Sequence, residues 1–169
     1  MDFEEQLIDR WNSAGFNQIA KDNCHSAEVV AKLFSLTTHK NHKIAWRSAY
    51  LVDQIHDLAP EMVTPYLPRI AEALPALTNQ SVKRHFARIL VQHDLSELAD
   101  GRLLDACFTW LTQQDTPIAV KAHCMQILFN LTKIYPELIP ELKIVLEELI
   151  PYGSKGEQNR ARKILKQLG

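Results

Sequence analysis

A repeat constrains this chain more than any other feature. Three segments align without gaps: IAWRSAYLVDQI from Ile44, VKRHFARILVQH from Val82 and VKAHCMQILFNL from Val120, each starting 38 residues after the last. Apolar or small residues fill offsets 0, 4, 7 and 8 of every copy: Ile44, Ser48, Leu51 and Val52; Val82, Phe86, Ile89 and Leu90; Val120, Cys124, Ile127 and Leu128. At about 100° per residue these offsets form one stripe along a helix. A fourth copy, RARKILKQL, places Ala161, Ile164, Leu165 and Leu168 in the same pattern with a one-residue slip. A repeat of this length made of helices must bury its stripes against its neighbours.

The segments between the copies repeat as well. Leu67, Ile70, Ala71 and Leu74 match Leu104, Cys107, Phe108 and Leu111, and again Leu142, Val145, Leu146 and Leu149. Pro65, Pro68 and Pro140 fall early in these segments and should bend a first turn rather than abolish the helix. No run of four or more residues alternates like a strand, and the glycines fall between or after the periodic segments. The expectation is an all-α chain, a single domain over 1–169 of paired helices in units at about 26–57, 60–94, 97–134 and 137–168. Residues 1–24 form a helical cap with Phe3, Leu7, Ile8 and Trp11 on one face.

The paired helices resemble HEAT repeats, whose second helix reads D-x-x-x-V-R-x-x-A-A-x-A-L. Val82-Lys83-Arg84-His85-Phe86-Ala87-Arg88-Ile89-Leu90 follows that form, as does Asp115 with Val120-Lys121 and Ile127-Leu128. Glu61-Met62-Val63-Thr64-Pro65-Tyr66-Leu67 resembles the family's proline-bearing first helix. Lysine stands in for the family's arginine, and Ala45 replaces it in the first copy. The resemblance implies an α-solenoid related to armadillo-type folds, with second helices on the concave side and Lys83 and Lys121 making contacts between repeats.

Charge divides along the same lines. Second-helix segments carry twelve lysines and arginines against Asp53 and Glu157 alone. First-helix segments carry twelve acids against Arg69, Arg102 and Lys143, although the whole chain has a net charge of −1. The positive row suits a polyanion or an acidic protein segment. It also suits contacts between repeats and helix-dipole pairing. Offsets 2, 6 and 9 lie opposite the stripe: Trp46, Tyr50 and Asp53; Arg84, Arg88 and Val91; Ala122, Gln126 and Phe129. Arg47, His85 and His123 run beside them, with an amide row of Gln54, Gln92 and Asn130. An open Trp46 and Tyr50 would stack a base or clamp a peptide, whereas residues 1–24 folded across them would bury both. Exposed Val91 and Phe129 would suit self-association.

Other chemistry is thin. Trp46, Tyr50, Asp53 and Arg88 loosely match the concave site of HEAT-like alkylpurine DNA glycosylases, but the aspartate is not one turn after the tryptophan. Cys24, His25, His39 and His42 have no known zinc spacing, and His39 and His42 flank a turn. Cys107 and Cys124 sit on core stripes and read as small hydrophobes. Three cysteines without a close pair, an acidic start unlike a signal peptide and no long apolar run point to a cytoplasmic protein. No catalytic set, metal or cofactor is expected. The leading function is macromolecular binding through the second helices, with a protein or peptide partner. Nucleic-acid binding in a basic groove is the alternative, and no membrane is involved.

Overall fold

The computed structural model describes residues 2–169. Ten α-helices form among them: α1 (Phe3–Ile8), α2 (Ser13–Asn23), α3 (Ala27–Leu36), α4 (His42–Leu58), α5 (Leu67–Ala73), α6 (Gln80–Leu90), α7 (Gly101–Thr112), α8 (Ile118–Thr132), α9 (Ile139–Leu149) and α10 (Lys155–Leu168). No strand occurs among the described residues. Local chemistry sets many of the starts. Asn41, Asn79 and Asp100 each accept backbone N–H groups in the first turn of the helix that follows. Ser154 and Glu157 close a capping box at α10.

The helices stack in two layers. Second helices α4, α6, α8 and α10 pack in sequence, each against its first helix: α3, α5, α7 and α9 respectively. All twelve stripe residues of the three aligned copies are buried, including Ser48, whose hydroxyl donates to the Ile44 carbonyl. In the fourth copy Ala161 and Ile164 are buried, while Leu165 and Leu168 are half-buried. Cys107 and Cys124 lie in the core, and a hydrogen bond between them together with burial pushes the Cys107 thiol well up.

Prolines cost the second unit more than a bent turn. Pro60, Pro65, Pro68 and Pro75 break its first helix into 3-10 turns at Pro60–Met62, Thr64–Tyr66 and Leu74–Ala76, leaving α5 only seven residues long. Each proline lacks an N–H for the i→i−4 ladder, and four within sixteen residues leave few positions where it can form. Pro140 sits at the start of α9, where its missing donor costs nothing.

Two sequence expectations need correction. Ile8 is 54% exposed, because α1 is too short to turn a second apolar row inward. Val91 and Phe129 are half-buried against the core, which removes the exposed apolar surface expected there. Among the described residues, no helix is long and apolar enough to cross a membrane.

Candidate binding face of the second helices

The N-terminal part of the face is closed. Helices α1 and α2 pack on α4, and Trp11, in the turn between them, lies 4.7 Å from Trp46 and 4.9 Å from Tyr50 between ring centroids. Tyr50 donates its hydroxyl proton to Asn17 Oδ1 on α2 and meets the His85 ring edge-on at 5.6 Å. Both aromatics are therefore half-buried. Of the two environments open in the sequence, the covered one is found, so neither ring is free to stack a base.

Arg47 is also removed from the surface. It is 6% exposed, and Nη1 donates to the carbonyls of Leu7 and Asp9 at 2.6 Å. Those carbonyls end α1, where a helix presents unsatisfied acceptors and a partial negative charge. Trp11, Phe16 and Trp46 surround the guanidinium at 5.5–5.8 Å. The expected groove cation is instead the pin that holds α1 to α4.

Asp53 and His85, placed by the helical wheel in or beside the groove, are 1% and 3% exposed. Asp53 Oδ2 faces His85 Nδ1 at 2.7 Å, and Oδ1 accepts from Arg88 Nη1 at 2.6 Å. Arg88 also donates to Asp57, and that hydrogen bond raises its already high pKa. The wheel misplaces these residues because it treats the helix as isolated. Offset 9 of α4 turns toward α6, where its carboxylate is enclosed. With both oxygens engaged and the aromatics covered, the set Trp46, Tyr50, Asp53 and Arg88 has no open base pocket.

Farther along, His56 Nε2 and His93 Nε2 meet at 2.7 Å at the ends of α4 and α6. His56 is buried, its Nδ1 has no partner, and burial followed by the charge of His93 lowers its pKa. Asp53, His56 and Asp57 are the one group of potential metal ligands that converges among the described residues. Both carboxylates are held by Arg88, with His85 also on Asp53. Cys24, His25, His39 and His42 do not converge.

Lys83 and Lys121 bridge units. The Lys83 ammonium lies 4.0 Å from the centroid of the Trp110 ring of the next unit, and burial lowers its pKa. Lys121 pairs with the buried Glu157 at 3.7 Å.

What remains open lies on α6, α8 and α10. Arg84 is exposed and makes only a 3.5 Å contact with His85. Arg160 and Lys163 are exposed and form no ion pair among the described residues. They line an open depression of about 420 Å³ with Gln126 and Phe129. His123 lies half-buried near Arg160, Arg88 and Arg84. Its pKa is lowered to about 4, by burial first and then by the Arg160 charge. The amide row is partly spent on the protein itself: Gln126 donates to Asn130, Asn130 donates to the Val91 carbonyl, and the exposed Gln92 donates to the Arg88 carbonyl. Gln54 is half-buried. Arg160 and Lys163 were absent from the candidate row read above, yet extending the register through the fourth copy finds them. With its one-residue slip that copy starts at Glu157, so Arg160 takes the offset of Arg47, His85 and His123, and Lys163 that of Arg88 and Gln126.

A model of the HEAT repeat domain matches residues 3–168, the N-terminal helices included. No curated protein matches the chain, and no solved structure matches it. The helix pairs, the buried stripes and the match over nearly the full length agree: the chain belongs to the HEAT repeat family.

Proposed function

We propose that this protein is a non-catalytic scaffold that holds a protein partner on the outward face of α6, α8 and α10. The observation carrying this reading is the contrast in pairing along the second helices. Arg47, Lys83, Arg88 and Lys121 are consumed by carbonyls, a ring or carboxylates, whereas Arg84, Arg160 and Lys163 pair with no acid among the described residues. Unpaired cations beside an open depression favour a charged partner. Three free cysteines, two of them buried, support a reducing cytoplasmic setting.

The nucleic-acid alternative draws on the same cations, but the closure of Trp46 and Tyr50 takes away its stacking platform. A photo-crosslinking side chain at Gln126 should give discrete protein adducts in a lysate of the source cells, resistant to nuclease. The same group at Ile144, which is 56% exposed on the first-helix layer, should give none. Equal labelling from both positions, or adducts lost on nuclease treatment, would overturn the reading.

A further inference from the structure

One offset of the repeat finds its acceptor in two copies, by different chemistry, and lacks one in the next two. The residue at offset 3 of a second helix leans toward the preceding unit, where it needs an acceptor. On α4 the residue is Arg47, and the acceptors are the Leu7 and Asp9 carbonyls. On α6 it is His85, and the acceptor is Asp53, at offset 9 of α4. On α8 it is His123 and on α10 it is Arg160, and the offset 9 residues before them are Val91 and Phe129. Neither supplies a carboxylate, and His123 forms no hydrogen bond among the described residues. The protein therefore contains one filled copy of a carboxylate site followed by two unfilled ones.

We infer that this unfilled stretch binds carboxylates of an acidic segment of a protein partner, with Arg84, His123 and Arg160 as donors and Lys163 and Gln126 beside them. The inference rests on the reading of this face as a partner surface and adds the partner's chemistry. The filled copy shows what the carboxylate does: Asp53 accepts from an imidazole at offset 3 and a cation at offset 6. In the open stretch those positions hold His123 with Gln126, then Arg160 with Lys163. Arginine and imidazolium donors to a carboxylate make charge-assisted hydrogen bonds, stronger than neutral ones. Arg160 and Lys163 line one depression, with Arg84 acting on the same imidazole as Arg160, which suits a few carboxylates.

Proton uptake comes with such binding. The charged groups facing His123 are Arg160 from α10, Arg84 and Arg88 from α6, and Asp53 from α4, so burial first, and then cations that outnumber the lone acid, keep the imidazole neutral near pH 7. A carboxylate seated among them offsets that field and favours the imidazolium. Affinity should therefore rise as the pH falls, as long as the ligand stays ionised.

The test is fluorescence anisotropy with a short fluorescein-labelled oligoglutamate on the intact protein at low salt. Binding should weaken about tenfold or more in the Arg84→Ala/Arg160→Ala double variant, whose exposed side chains form no ion pair among the described residues. Wild-type affinity should tighten between about pH 7 and pH 5, where glutamate remains mostly charged. The His123→Gln variant should lose that tightening. Equal binding by wild type and the double variant would overturn the inference, as would tighter binding of an oligothymidylate of the same length. If the peptide does not bind while the Gln126 protein adducts persist, the acidic partner falls and the wider scaffold reading stands.

Discussion

Two joints between second helices, α4 with α6 and α6 with α8, share a repeat register and differ in how they are closed. The first is sealed by Asp53 between His85 and Arg88, with His56 against His93 at its end. The second has Val91 where Asp53 stands, and the one hydrogen bond between these helices among the described residues runs from the Asn130 amide to the Val91 carbonyl. Apolar packing beneath is equally tight: Leu90, Ile89, Ile127 and Leu128 are all buried to within about a hundredth of their surface. Packing thus builds the stack, while the polar residues decide which stretches of its face are used up internally. A basic residue on a second helix is therefore not by itself a binding residue.

That contrast can be broken at its strongest point first. Asp53→Ala should cost about 3–5 kcal/mol, because it leaves Arg88 and a buried His85 without their shared acceptor. Leu90→Ala and Leu128→Ala should each cost about 2–5 kcal/mol, alike on both sides of the contrast, because both belong to the stripe. Chemical denaturation measures all three, and a tolerated Asp53→Ala would remove the polar seal from the account. Arg47→Ala should cost somewhat less, on the order of 2–4 kcal/mol, for two charge-assisted bonds to carbonyls. Arg160→Ala, at the same offset in the fourth copy, should stay within about 0.5 kcal/mol.

Much of this was legible in the repeat. The stripe offsets named the core of α4, α6 and α8 residue by residue, since burial there follows from helical period alone. The fate of the polar residues was not, because it depends on what the neighbouring unit offers. Arg47 is buried only because α1 ends against it, and α1 lies outside the aligned copies. Asp53 and His85 are buried because each supplies what the other lacks across a joint. A wheel drawn for one helix cannot contain either fact. The comparison of offset 3 with offset 9 of the preceding copy does contain the second one, and it would have found Arg160 as well.

Acid sharpens the comparison further. Both His56 and His123 have folded pKa values below the ordinary histidine value, so the unfolded chain binds their protons more readily. Their contribution is complete above the unfolded value, near pH 6.5, and is lost as the pH falls toward the folded values, about 4 for His123. Unfolding midpoints should therefore drop between about pH 6.5 and pH 4. His123→Gln should remove part of that drop, and His93→Gln should change the part that belongs to the His56 pair. Arg84→Ala gives the smallest effect, a change within about 0.5 kcal/mol in stability at neutral pH.

The central claim is that the joint between α6 and α8 lacks the acid its neighbour has. Val91→Asp supplies one at the offset of Asp53. The direct measurement is the titration of the His123 imidazole by NMR in wild type and in this variant. The account expects a wild-type midpoint near 4 that moves up clearly in the variant, with oligoglutamate binding weakened at the same time. An unchanged His123 midpoint in a folded Val91→Asp protein would contradict it.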